Sequence, residues 1–184
     1  MHKFSPTNAH RLEHDDRYAL IPPSETLKRL GLGKDMTVAD IGAGTGFFTR
    51  AASDIVGEQG KVYALDMSEE MLEYLKEKGV SPNVEVLLSG EYRLPLPDES
   101  VDFAFAAFVL HETPERERFL QEIRRVIKKS GRIAIVEWKK QEEEHGLPAS
   151  ERLDQVELES ELPKAQILDH GSLNSSHYFL LLKK

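Results

Sequence analysis

The chain contains no cysteine. That absence removes disulfide bridges, thiolate nucleophiles and cysteine metal ligands together, and it leaves the redox compartment open. Long apolar runs are missing as well: no stretch approaches the roughly 20 residues that span a bilayer, and the opening MHKFSPTNAHRLEHDDRY lacks the apolar centre of a secretion signal. The expected location is the cytoplasm. Positive charge is in deficit, with 24 Lys and Arg against 32 Asp and Glu and a net charge of −8. Nucleic acid or an anionic membrane surface would be repelled, so neither is expected as a partner. The 7 histidines show no metal-ligand spacing. HETPE at 111–115 places Glu115 where the zinc motif H-E-x-x-H needs its second histidine, and no metal is expected.

What remains is globular composition, 40% hydrophobic and 30% charged over 184 residues, which fits a single domain. Short apolar runs alternate with helical patterns, the arrangement that forces parallel strands joined by crossover helices. IPPSETLKRLG reads as a short helix capped by Ser24 and ended by Gly31. MTVADI (36–41) is an apolar, β-branched run suited to a strand covered on both faces. A helix from about Gly46 turns Phe47, Phe48, Ala51, Ala52 and Ile55 inward and stops at Gly57. KVYALD (61–66) is a second strand, and Ser68 caps a helix that Gly79 closes. VEVLL (84–88) and VDFAFAAFVL (101–110) follow as strands, separated by the proline-bearing loop SGEYRLPLPDES. Thr113-Pro114 opens a helix that carries Phe119, Leu120, Ile123, Val126 and Ile127 inward and runs to Gly131. Late in that helix Arg124, Arg125, Lys128 and Lys129 form a solvated basic face. RIAIVEW (132–138) is the fifth strand. Beyond it, ERLDQVELESEL reads as an amphipathic helix with Leu153, Val156 and Leu162 inward. KAQILD (164–169) and HYFLLLKK (177–184) form a closing antiparallel hairpin around HGSLNSS.

The chemistry concentrates at VADIGAGTGFFT. Gly42, Gly44 and Gly46 stand where the first strand must turn into its helix, and glycine there lets a ligand approach backbone that a Cβ would block. The spacing is G-x-G-x-G, whereas the dinucleotide fingerprint needs G-x-G-x-x-G and finds Phe47 at its last position. Asp40 lies two residues before the first glycine, where it repels a pyrophosphate and attracts an ammonium. Asp66 ends the second strand, the position from which a carboxylate takes both hydroxyls of a ribose. Together they suit a nucleoside with a cationic amino-acid tail.

In order and spacing, VADIGAGTGFFT, VYALDMS, GEYRLPLPDESVDFAF, VLHE and EIRRVIKKSGRIAIVEW, spanning about residues 36–138, resemble the class I S-adenosylmethionine-dependent methyltransferases, in the group similar to ubiquinone/menaquinone C-methyltransferases. The resemblance implies a Rossmann-like, doubly wound α/β sheet of about seven strands in the order 3-2-1-4-5-7-6, strand 7 antiparallel, with helices on both faces. Residues 1–35 would be an N-terminal lid and helix, 36–138 the cofactor core, and 139–184 a substrate-side segment with the hairpin. It implies S-adenosyl-L-methionine as cofactor: Asp40 and the loop Gly42, Ala43 and Gly44 at its methionine moiety, Gly46 also in the cofactor site, Asp66 on the ribose and Met67 on adenine. Gly90 and Glu91 fall at the adenine edge, where the family usually has Gly-Asp. Phe108 and His111 line the acceptor side.

Because the sulfonium carries its own driving force, the protein need mainly align an acceptor and exclude water. His111 is the residue placed to take a proton where one must leave. Arg11, Arg17 or Tyr18 would close over the cofactor. The expected partner is a small-molecule methyl acceptor, and the expected state a monomer or homodimer. The resembling quinone-methylating enzymes are longer, which argues against a quinone, and the missing cysteines argue against thiol-dependent arsenic methylation. Two other classes share these features: a non-catalytic cofactor-binding module, and an NAD(P)-dependent oxidoreductase, against which Asp40 and the displaced glycine speak.

Overall fold

The structure, a computed structural model, describes residues 15–143, 146–163 and 166–184. Arg11, the start of KAQILD at 164–165 and the glutamate at 144 lie outside them. In chain order the elements are α1 (Asp15–Leu20), α2 (Pro23–Arg29), β1 (Thr37–Ile41), α3 (Phe47–Val56), β2 (Lys61–Asp66), α4 (Glu69–Glu77), β3 (Val84–Leu88), β4 (Val101–Ala107), α5 (Arg116–Val126), β5 (Ile127–Trp138), α6 (Gln155–Glu161), β6 (Ile167–Ser172) and β7 (His177–Lys183). The strands form one sheet in the order β3-β2-β1-β4-β5-β7-β6. β1 to β5 run parallel, and β7 is antiparallel to both β5 and β6. This is the doubly wound order expected above.

Each face of the sheet buries its own core. Val38, Val62, Phe103, Phe105, Ala134 and Val136 pack on one side against Leu27 of α2 and Phe47, Phe48 and Ala52 of α3. Ala39, Ala104, Ile133, Ile135 and Leu180 pack on the other against Phe119, Leu120 and Ile123 of α5 and Leu158 of α6. With both faces covered the central strands read as apolar runs, which is why FAFAA (103–107) and IAIV (133–136) show no polar alternation. α4 forms where Ser68 Oγ accepts from Met71 N at 3.3 Å, with Glu69 and Glu70 at the positive end of the helix dipole. No described helix is long and apolar enough to cross a membrane.

Several boundaries differ from the sequence expectation. α2 begins at Pro23 with Pro22 at its cap, so Ser24 lies inside the first turn and makes no capping bond. Proline's fixed φ supplies the start instead. β4 stops at Ala107 because Phe108 takes φ +60 and turns the chain into a 3-10 turn, Leu110–Glu112. Thr113 closes that turn, and α5 begins three residues later at Arg116. α5 ends at Val126 rather than Gly131, since Ile127 already pairs with Val101. Lys128 and Lys129 therefore lie on β5, and the register shift between Val101 and Phe103 absorbs them. Val156 is 73% exposed and faces outward; Leu158 is the buried residue of α6.

Candidate functional site

The site forms at the C-terminal ends of β1, β2, β4 and β5, where the strand order reverses and neighbouring crossovers diverge. Gly42, Gly44 and Gly46 have φ of +75, +53 and +85, all left-handed. A Cβ on Gly42 would lie 2.4 Å from Val109 Cγ2, and one on Gly46 would lie 2.3 Å from Leu75 Cδ1. Only glycine meets both demands there. The N–H groups of Gly42 and Ala43 donate to Leu65 O at 2.8 and 2.9 Å, tying the loop to the end of β2. α3 then starts from Gly46 with no side-chain cap. Thr45 is buried, and its hydroxyl has no hydrogen-bond partner among the described residues.

Asp66 joins loop to helix. Its Oδ2 accepts from Gly44 N at 2.8 Å and its Oδ1 from Ser68 N at 2.9 Å. Each oxygen keeps a second lone pair for a hydroxyl donor. Asp40, beside it in the sheet, is 4% exposed and accepts from Thr49 Oγ1 at 2.6 Å. Burial pushes its carboxyl up to about 6; the Thr49 bond works against this and the Asp66 charge adds to it. Two acids thus flank the loop, and a cation relieves both.

The remaining expected positions surround this pair. Met67 is 43% exposed at the end of β2. Ser89 N donates to Asp66 O at 2.9 Å, which draws the turn after β3 beside the acid. In that turn Gly90 bridges Arg93, and Glu91 sits half-buried between them. Phe108 N donates to Val136 O at 2.8 Å, and its ring contacts Trp138 at 5.4 Å and His177 at 5.1 Å between centroids. The Arg17 guanidinium lies 4.0 Å from the Phe47 ring centre and 5.6 Å from that of Phe108, while Tyr18 packs on Phe47. α1 thus packs Arg17 and Tyr18 on Phe47, the first residue of α3. Phe47 and Phe48 are core residues, 4% and 5% exposed.

His111 projects from the turn after β4. Its Nδ1 lies 2.8 Å from Glu137 Oε2, and its backbone N donates to Glu137 Oε1 at 3.2 Å. Its side chain is 7% exposed and that of Glu137 0%. Burial opposes the charged ring, but the Glu137 hydrogen bond and the charges of Glu137, Glu112 and Glu151 outweigh it, so the His111 pKa is raised.

Sequence reasoning missed Glu137, Trp138 and His177. The one available signal was an acid at the tip of the apolar run RIAIVEW, the same position that marks Asp40 and Asp66. His177 gave none, because only the antiparallel pairing of β7 places it opposite Trp138. Two surface hollows of about 480 and 420 Å³ lie at the other end of the strands, one beside Glu99 and Lys184, the other beside Asp35 and Arg132. Neither touches the glycine loop.

The family described as methyltransferase domain matches residues 39–135, from the strand carrying Asp40 to three residues before the end of β5. The chain belongs to that family. Its fold is that of the class I S-adenosylmethionine-dependent methyltransferases. An S-adenosylmethionine-dependent methyltransferase of Aquifex aeolicus, known by crystal structure, is 39% identical, covers 98% of each chain and superposes with a TM-score of 0.92. The ubiquinone/menaquinone biosynthesis C-methyltransferase UbiE of Escherichia fergusonii is 37% identical over 119 residues, 62% of this chain and 47% of that protein. The chain therefore spans about half the length of the curated relatives it matches. The [4+2]-cyclase SpnF, 22% identical with a TM-score of 0.73 over 94% of this chain and 85% of that one, shares the fold.

Proposed function

We propose that this methyltransferase moves a methyl group from S-adenosyl-L-methionine to a small-molecule acceptor by in-line displacement. The observation that carries the reading is the Asp66 carboxylate bridging Gly44 N and Ser68 N, with Asp40 buried behind it. The donor set fits this cofactor. Asp66 offers its free lone pairs to ribose hydroxyls, and the exposed Met67 with Gly90 and Glu91 borders the adenine. Gly42, Ala43, Gly44, Gly46 and Asp40 face the methionine end, where the orphaned Thr45 hydroxyl marks a polar position awaiting a partner. A dinucleotide fits poorly: its pyrophosphate would meet two acids.

When bound, S-adenosyl-L-methionine supplies a sulfonium-activated methyl group. The protein's part is to hold the acceptor in line and keep water out. Phe108 and Trp138 furnish an apolar wall, Arg17 and Tyr18 close the entrance, and His111 accepts a proton where the acceptor must lose one. A cytoplasmic location, and a monomer or homodimer, belong to the same reading.

Thermal-shift titration tests the proposal. S-adenosylhomocysteine should raise the melting temperature and NAD should not. Stabilisation by NAD alone would reverse the assignment, and turnover against an acceptor panel separates the enzyme from a silent binding module.

A further inference from the structure

Glu137 is a carboxylate with no exposed side-chain surface. Both of its oxygens go to a single residue, one to the His111 backbone N–H and one to the His111 ring. Burying such a group is a poor route to stability, since an apolar side chain of similar volume serves the core as well or better. The position instead orients its partner. The backbone bond is a one-way constraint, because an N–H only donates and so Glu137 Oε1 must accept. The carboxylate then presents only acceptor lone pairs to Nδ1, which obliges Nδ1 to carry the hydrogen in the neutral ring. Nε2 is then the ring's remaining acceptor, with Glu112 Oε1 3.8 Å away.

His111 is held from its other side too. Glu112 N and Thr113 Oγ1 donate to Val109 O at 3.1 and 3.0 Å, and Thr113 N donates to Leu110 O at 3.1 Å. Leu110 is fully buried, so the turn cannot swing without vacating the core. Val109 in turn occupies the space that a Cβ on Gly42 would need, linking this turn to the cofactor loop. Among the described residues the charged groups acting on the ring are acids: Glu137 from β5, Glu112 from its own turn with an oxygen 3.8 Å from Nε2, and Glu151 from the turn before α6.

Resting on the methyl-transfer reading above, we infer that Glu137 is a positioning residue for that reaction: it fixes the His111 tautomer so that Nε2 faces the acceptor as proton acceptor, and it neutralises the imidazolium that results. In that step Nε2 forms a bond to the acceptor's proton, the electrons of the broken bond stay on the acceptor atom, and the charge on the ring is met by the carboxylate across Nδ1–H. Glu137 touches neither acceptor nor cofactor.

The test uses the full chain, ¹⁵N-labelled, with the ring nitrogens read by long-range ¹H–¹⁵N correlation and His111 assigned by loss of its signal in His111→Gln. In the wild type the neutral ring should carry its hydrogen on Nδ1. In Glu137→Gln the single amide oxygen must serve the backbone N–H, which turns the amide NH₂ toward Nδ1. The hydrogen should move to Nε2, and the His111 titration should fall by about one pH unit or more. S-adenosylhomocysteine should stabilise both proteins alike. A wild-type ring protonated on Nε2, or a tautomer and titration unchanged in the variant, overturns the inference. Should Glu137→Gln fail to fold, the wild-type tautomer alone decides. The ring spectrum is recorded without ligand, so a protein with the stated tautomer that ignores S-adenosylhomocysteine would sink the methyl-transfer reading, and a binder with the wrong tautomer would sink only the role of Glu137.

Discussion

Asn174 holds His177 by one edge: its side-chain oxygen lies 3.0 Å from the ring Nδ1 while also accepting from Ser176 N at 2.9 Å and His177 N at 2.8 Å. The amide cannot be turned over, because its NH₂ donates to Leu20 O at 2.7 Å. Nδ1 must therefore donate, and Nε2, buried, has no partner among the described residues. Burial pushes this histidine down to about 4; the charge of Glu143 opposes the shift, and those of Arg17, Arg152 and Lys139 add to it. The ring lies 4.3 Å from Trp138, the chain's single tryptophan. Tryptophan emission should stay level from pH 8 to 5 and be quenched as pH falls through about 4, when His177 becomes charged. Quenching centred near the ordinary histidine value would contradict the burial argument.

The same shift has a stability consequence. The folded value lies below the unfolded one, so the unfolded chain takes up a proton first as pH falls. Stability is complete above about 6.5 and is lost between there and about 4, by on the order of 3 kcal/mol. His177→Phe should flatten that part of the acid limb, measured as urea unfolding free energy at pH 7 and pH 4.5. An unchanged difference between the two pH values would count against it.

Asp40 has the opposite sign. Its folded pKa, about 6, is above the ordinary 3.8, so the native state binds the extra proton and loses stability as pH rises through that window. Asp40→Asn mimics the protonated form and still accepts from Thr49. The variant should be more stable than wild type at pH 7, by up to about 3 kcal/mol, and no more stable below pH 4. Its affinity for S-adenosylhomocysteine should drop by roughly tenfold or more, equivalent to about 1.4 kcal/mol. Equal stability and equal affinity would remove Asp40 from the proposed site.

Gly46 and Gly79 share a left-handed φ, +85 and +82, but differ in surroundings. An alanine methyl at Gly79 meets nothing within 4 Å, so Gly79→Ala should cost about 1–2 kcal/mol from backbone strain alone. Gly46→Ala drives a methyl into Leu75, a fully buried residue, and should cost about 1–3 kcal/mol more. Melting temperatures of the two variants side by side settle the difference; a milder Gly46→Ala would mean the loop has room to move.

Strands and glycine turns were legible in the sequence because their causes are local: β-branched runs, Gly42, Gly44 and Gly46, and the cap at Ser68. The order of the sheet came from the family resemblance. Where the sequence misled, the cause was distant. Nothing in FVLHE announces that Phe108 adopts a left-handed backbone; the strand ends there because the chain must drop toward Leu110's pocket. Ile127 looks helical until Val101 pairs with it. Val156 had helical spacing, yet the lower face of α6 is claimed by Leu158. Asp40 and Asp66 could be read as a pair because each ends a strand, whereas His111 lies past the end of β4 in a 3-10 turn and meets Glu137 only because that turn folds back on the end of β5.

The pairing of Trp138 with His177 places β7 between β5 and the outermost strand. During synthesis on the ribosome the glycine loop and both aspartates emerge more than a hundred residues before that strand does. A nascent chain therefore has the glycine loop and both aspartates in hand while Trp138 still waits for its neighbour. Any ligand that steadies the early half at that stage would act as a folding aid before the sheet is closed at that edge.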